Sequence, residues 1–332
     1  MTSFAPTESK RIFAVDFLKA IAILAVVLGH IASPLTSFIF AWHMPAFFLA
    51  SGLLLREKQK EGERFTAFSQ KDFFYLGKFY LIFGVFGIFM EYLKIRMMGR
   101  EPLDLWDTAV GFVYYMDMPH LHHYGFILWF LPALFWGKFF SRCLLRYMRK
   151  EICVCLAVVL FAVGLFLPAD VQLPFGMREG FLAVLWCMTG VLIFPILRTE
   201  MDRWHRAFIL VGGILLFFLP VPALNLGDYV ISSPVFTFLY SVFVAILLLS
   251  VGHWVSLHHT HLNTICTYLS RRSIYIMGLH VYTNNFSTVF LAHFHIKVWW
   301  MRFFLSCAML AVVLGTLEVL WLARKRKRER IA

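Results

Sequence analysis

Apolar runs of about 20 residues recur along the whole of this 332-residue chain, and nothing else in it limits the fold so strongly. Wound as an α-helix, such a run matches the hydrocarbon thickness of a bilayer, whereas strands of a membrane barrel show dyad alternation over shorter segments. Composition points the same way: 60% of the residues are hydrophobic and 15% charged, with mean hydropathy +0.73. A soluble domain is roughly half apolar and about a quarter charged. The chain reads as an all-α integral membrane protein of about ten transmembrane helices, at 13–33, 36–55, 73–95, 125–145, 152–168, 180–197, 207–223, 234–254, 273–292 and 300–323.

Ten spans put both termini on one side, and the basic residues choose which. Lys10, Arg11, Arg56, Lys58, Lys60, Arg64 and Lys71 fall there, as do Arg142, Arg146, Arg149, Lys150, Arg198, Arg203, Arg206, Arg271 and Arg272. The opposite side carries Arg100, Arg178 and Lys297. The positive-inside rule makes both termini cytoplasmic and residues 324–332 a basic cytoplasmic tail. Topology thus explains the net charge of +12, and no nucleic-acid partner is expected. The six cysteines show no C-x-x-C spacing, so neither a disulfide framework nor a zinc site is indicated. The first apolar run, with a second close behind it, reads as a retained helix and not as a signal peptide. With short loops and no internal repeat, residues 1–332 form one membrane domain, multi-pass in the inner (plasma) membrane and solvated by its lipid bilayer. The longest outer loop, 98–124, is expected to hold a short amphipathic helix around Leu103–Tyr115.

The first span, DFLKAIAILAVVLGH from Asp16 to His30, carries three residues that lipid disfavours. Helical residues turn about 100° and rise about 1.5 Å each. Lys19 and His30 are eleven steps apart, which returns to within about 20° of the same direction, about 16 Å along the axis. Asp16 lies about 40° to the other side of His30. All three share one face, a polar stripe along most of the helix. Singly, Asp16 and Lys19 would read as snorkelling boundary residues and His30 as a bonded core histidine; their alignment argues for function.

The second span contains FAWHMPAFFLASG, which sets His43 at a depth similar to His30 on the neighbouring antiparallel helix. Pro45 lacks a backbone donor and is expected to kink the helix, leaving carbonyls free to line a cavity. Ser51 and Gly52 permit close helix approach. Two histidines make too small a ligand set for zinc or haem, so no metal is expected. Intramembrane Glu91 and Glu318 are expected either to act or to pair with Lys94 or an Arg302-type cation. The clusters His120, His122, His123 and His258, His259, His261 read as solvated loops.

DFLKAIAILAVVLGH followed by WHMPAFFLASGLLL resembles the opening of the membrane acyltransferase-3 family, in particular its fucose 4-O-acetylase-like members. That family begins with an Asp, a basic residue, ten mostly apolar residues and a histidine, then a His-Met-Pro helix ending in Ser-Gly. LWFLPALFW at Leu128–Trp136 and SRRSIYIMGLH at Ser270–His280 resemble two later family segments, so the likeness spans essentially the whole chain. Two departures stand out. The basic position, usually arginine, is Lys19, which lacks the planar fork for bidentate phosphate contact. The third span, YLGKFYLIF, has no proline where family members tend to carry Arg and Pro-Tyr.

The resemblance implies an O-acyltransferase that moves an acetyl or other short acyl group, such as succinyl, from cytoplasmic acyl-CoA to a sugar hydroxyl. The acceptor would be a cell-envelope or exported glycan, or its lipid-linked precursor. A hydroxyl is a poor nucleophile at neutral pH, and histidine suits the general-base role. His30 is the expected base and His43 its orienting or oxyanion partner. Lys19 and Asp16, with Arg56, Lys58, Lys71 and Lys78, are the expected acyl-CoA-binding residues. Trp42, Trp129, His280, Asn284 and Asn285 are the expected acceptor-binding residues, the two asparagines with helix cross-linking as their other reading. Direct transfer and an acyl-histidine intermediate both remain open, as does homo-oligomerisation. The alternative function is a transporter or flippase for a glycan or acyl compound, although the paired halves common in transporters are not visible.

Overall fold

A computed structural model describes residues 13–60, 65–99, 101, 103–121, 125, 127–168, 171–194 and 203–331. Among these, helices dominate: α1 (Phe13–Gly29), α2 (Thr36–Phe40), α3 (His43–Lys60), α4 (Phe65–Met98), α5 (Leu105–Val110), α6 (Met118–Leu121), α7 (Phe130–Tyr147), α8 (Lys150–Phe166), α9 (Met177–Ile193), α10 (Arg203–Phe218), α11 (Pro234–His258), α12 (Thr260–His293) and α13 (Trp299–Ile331). The segments Thr36–Leu55, Ser69–Met97, Pro174–Ile193, Pro234–His258 and Trp299–Arg324 are, by length and composition, able to cross a membrane. Arg206–Phe218 is a shorter apolar helix. Every expected span contains a helix, but α4, α12 and α13 extend well past their apolar stretches. Hydropathy marks only the apolar part of a helix, while the backbone bonding continues through polar residues.

The second span is interrupted just ahead of Pro45. A turn at Ala41–Trp42 separates α2 from α3, and Pro45 sits in the first turn of α3, where a missing N–H is tolerated. The connection between α4 and α7 carries α5, capped by Asp104, whose carboxylate accepts from the backbone N–H of Trp106 (2.8 Å) and Asp107 (3.0 Å). A π-helical turn, Gly111–Tyr115, follows it. A small antiparallel hairpin between α10 and α11 has no periodic pattern in the sequence to announce it. In it β1 (Leu224–Asn225) pairs with β2 (Val230–Ile231), Leu224 opposite Ile231.

Two helices organise the interior. α1 is Ala-rich and enclosed by α3, α11 and α12; Leu18, Ala20, Ala22, Ile23 and Val27 are completely buried. A helix apolar on all but one narrow stripe belongs in such a centre. α9 packs against α3, α7 and α8. Its approach to α3 is so close that a Cβ at Gly52 would overlap the Cys187 carbonyl, and one at Gly190 the Leu49 carbonyl. At the periphery, α13 is the least enclosed of the five segments able to cross a membrane: 17% of its spanning window is buried, against 78% for Thr36–Leu55. Large apolar side chains stand exposed on α4, α10 and α13, as a lipid-facing surface demands and an aqueous one disfavours.

Candidate active site

The stripe on α1 faces α12, and the contact has two stations. At the first, the Ser270 hydroxyl donates to Asp16 Oδ1 (2.7 Å), and Lys19 Nζ donates to the Ser270 carbonyl oxygen (3.3 Å). Asp16 is buried there and Lys19 half-buried. At the second, the rings of His30 and His280 lie 5.0 Å apart, and Asn284 Nδ2 donates to the Val27 carbonyl (2.8 Å). Residue numbers rise together on both helices, so α1 and α12 run parallel. Ser270 and His280 are ten residues apart, about 15 Å, close to the rise of about 16 Å between Lys19 and His30. The stations match because the two rods carry nearly equal spacings.

His30 and His43 share the wall of a cavity of about 210 Å³. His30 sits on the turn after α1, with Phe40 edge-on to its ring at 5.6 Å. His43 opens α3, and Phe40 lies 5.2 Å from its ring as well. The interruption before α3 also sets the state of His43. Its Nδ1 is 2.7 Å from the Ile39 carbonyl oxygen, which can only accept. Nδ1 therefore carries the proton, and Nε2 is left as a lone pair. Val26, Met44 and Met277 of the helices and Ile127 and Trp129 of the turn before α7 line it further, and Leu224, Asn225 and Leu226 of the hairpin close another side.

The remaining expected residues are dispersed. His280 is fully buried behind His30 and is not among the residues lining the cavity. Asn284 is buried with both ends of its amide occupied: Nδ2 by Val27, and Oδ1 by the Ser306 hydroxyl at 2.6 Å. It cross-links α1, α12 and α13. Asn285 is exposed on the outside of α12. Trp42 is buried with its indole N–H unpaired, while Trp129 faces the cavity. Lys71 and Lys78 are exposed on α4. Arg56 and Lys58 belong to the last turns of α3, and their side chains lie outside the described residues. Glu91 pairs with Lys94 at 2.8 Å, and Glu318 pairs with Arg272 at 2.8 Å, not with an Arg302-type cation. His120 is half-buried, bonded to Asp117 (2.6 Å) and stacked on Tyr115; His122 and His123 lie outside the described residues.

Several charged groups escaped sequence reasoning. Lys138 (2.5 Å) and Arg142, both on α7, converge on Asp72 of α4. Arg178 donates to the carbonyls of Gly164 (3.0 Å) and Leu167 (2.7 Å), satisfying the C-terminal end of α8. The same guanidinium lies 4.0 Å over the Tyr229 ring, and the Tyr229 hydroxyl donates to Glu179 Oε1 at 2.8 Å. Glu179 is almost completely buried, and its second oxygen has no partner. These contacts fasten the hairpin to α9. The spacing of Arg178 and Glu179 gave no signal, because their partners come from α8 and from a loop 50 residues away.

A family model described as an acyltransferase domain, the acyltransferase-3 family, matches residues 12–318, nearly the whole chain. The match takes in both stations of the α1–α12 contact and the whole cavity wall. No curated protein and no solved structure matches the chain. The apolar helices and the matched domain agree on a membrane enzyme, and the chain belongs to the membrane acyltransferase-3 family.

Proposed function

We propose that this protein is an integral membrane O-acyltransferase that carries an acetyl or other short acyl group from cytoplasmic acyl-CoA to a sugar hydroxyl of a cell-envelope or exported glycan. The observation that carries the reading is the pair His30 and His43 on one cavity wall, with an aromatic face, Trp129, beside them. About 210 Å³ is below the roughly 300 Å³ at which sites for whole drug-sized ligands begin. It suits the two reacting ends, a thioester carbonyl and a sugar hydroxyl, with the rest of each substrate outside.

In this reading all ten spans cross the plasma membrane, the Asp16 end of α1 is cytoplasmic, and the His30 end faces outward. The nucleotide phosphates of acyl-CoA stay at the inner face with Arg56, Lys58, Lys71 and Lys78. Asp16 and Lys19 mark the inner limit of the thioester's path. The pantetheine arm is long enough for the distance of about 16 Å to His30. His30 removes the hydroxyl proton as the oxygen attacks the thioester carbonyl; the C–S bond breaks, and the departing thiolate takes a proton as free CoA. Neutral His43 offers only a lone pair at Nε2, so it orients the acceptor hydroxyl in the resting state. It becomes an oxyanion donor only when protonated. Trp129 supplies a flat apolar face for a pyranose ring.

The test uses purified full-length protein in lipid nanodiscs, acetyl-CoA or succinyl-CoA as donor, and an envelope-glycan extract as acceptor. Acyl incorporation with equimolar thiol release is expected, falling at least about 100-fold in His30→Ala. Glycan movement across proteoliposomes without thiol release would instead establish a transporter.

A further inference from the structure

His280 is completely enclosed, yet one of its nitrogens is left without a partner. Its Nδ1 lies 2.7 Å from the Met277 carbonyl oxygen, one turn back on α12. That oxygen can only accept, so Nδ1 carries the proton and Nε2 is a lone pair. Nε2 is buried and makes no hydrogen bond. Buried acceptors are nearly always paired, and an orphan in a native interior asks for a functional reason.

The neighbour that answers to it is His30. The two rings are neighbours, tilted by 37° with centroids 5.0 Å apart, and no hydrogen bond reaches His280 Nε2 in the resting structure. His30 sits on the turn beyond the last helical residue of α1, with Phe40 packed edge-on against its ring. The site has a direction too: His43 stands on the cavity wall, whereas His280 lies behind His30 and does not line the cavity.

We infer that His280 is a positioning residue for His30: its Nε2 accepts the N–H of one His30 nitrogen and holds the other, as a lone pair, toward the acceptor hydroxyl. The inference rests on the reading of His30 as the base. The chain of donors runs from His30 to His280 to the Met277 carbonyl, each bond fixing the tautomer of the ring before it. When His30 takes the substrate proton, its second N–H already points at a lone pair, and no proton need leave the pair. Catalytic hydrogen bonds of this kind are often loose without substrate and tighten in the Michaelis complex. The arrangement gives His280 the part that a second carboxylate plays for other catalytic histidines. The α1–α12 contact at Ser270 and Asn284 holds the two backbones in register for it.

Two amide substitutions separate the nitrogens. In His280→Asn the side-chain amide can still reach the Met277 carbonyl but provides nothing at the Nε2 position. In His280→Gln the longer side chain places an acceptor there. With acetyl-CoA and an envelope-glycan extract, His280→Asn is expected to lower kcat about 10–100-fold, with KM for acyl-CoA and for glycan unchanged. His280→Gln is expected to recover most of that loss. Size-exclusion profiles and melting midpoints of both variants in detergent establish that they fold alike. Full kcat in His280→Asn, or a glycan KM that rises while kcat holds, would overturn the positioning role. So would equal losses in the two variants at equal stability. His30→Ala keeps the two readings apart. If it is inactive while His280→Asn is fully active, only the positioning role falls; if it is fully active, the base assignment falls and the positioning role with it.

Discussion

The hydroxyl of Ser270 donates to Asp16 Oδ1 at 2.7 Å, joining two parallel helices whose residues are 254 positions apart in the chain. The Ser270 carbonyl receives Lys19, so one residue of α12 engages both polar groups at that end of α1. The stripe is therefore a seam between helices at one end and a cavity wall at the other. A seam and a site can share one helix face because the polar residues are grouped at its ends, with about three turns of apolar residues between them.

Ser270→Ala removes a hydrogen bond to a buried carboxylate while leaving the backbone carbonyl for Lys19. A loss of about 1–3 kcal/mol is expected, read as a lower melting midpoint in detergent. Ser270→Thr keeps the hydroxyl and should melt nearer the parent. An unchanged midpoint in the alanine variant would show that the bond adds nothing to stability.

Asn284 ties three helices together, and its removal should act on stability first. Asn284→Leu loses both interhelical hydrogen bonds and leaves the Val27 carbonyl without its side-chain donor, while the Ser306 hydroxyl keeps only Thr283. Interhelical bonds of this kind are worth about 0.6–1.7 kcal/mol each. Thermal midpoint and activity are expected to fall together, with KM for the glycan unaltered in the protein that remains folded. A raised KM at parental stability would instead place Asn284 on the acceptor.

Glycines on this protein should divide sharply. Gly52→Ala puts a methyl group against the Cys187 backbone, where neither helix can yield without separating, and folded protein should be largely lost. Gly213→Ala and Gly315→Ala meet no atom within 4 Å. In a helix interior alanine is favoured over glycine by about 0.5–1 kcal/mol, so both should match or exceed the parent. Expression level and monodispersity of tagged protein in detergent give the comparison.

Tyr229→Phe cuts the hydrogen bond that holds the hairpin to Glu179, while leaving the ring under Arg178. Because Leu224–Leu226 form one cavity wall, the expected result is a several-fold higher KM for the glycan with KM for acyl-CoA unchanged. Burial, then the neighbouring Glu179 carboxylate, pushes the Tyr229 phenol well above its ordinary range. The folded protein thus holds this proton more tightly than the unfolded chain. The stability gained is complete below about pH 10 and diminishes as the pH rises further. A glycan KM that is equal in the two proteins would detach the hairpin from acceptor binding.

Much of the site was legible because helical periodicity is a local property. Eleven residues between Lys19 and His30 return to one face whatever surrounds the helix, and Pro45 removes a backbone donor in any context. The presence of His30 and His43 on one cavity wall agrees with that local reasoning, while in place of a kink at Pro45 the chain breaks ahead of it, at Ala41–Trp42. The hairpin was hidden, since strands of two residues carry no periodic signal and lie at the edge of an apolar run.

By itself, the sequence determined a bundle of apolar helices, the polar face of the first, and the closeness of its histidine to the next helix. Those follow from residue type and from the pitch of an α-helix. Only the tertiary structure decided what that face meets: Ser270 at one end, and His280 at the other with its unpaired nitrogen turned inward. It also decided that Asn284 cross-links helices and that Tyr229 fastens the hairpin to Glu179. Helix pitch says which way a side chain points along its own rod. Which rod lies opposite, and at what height, is set by the packing of all of them together.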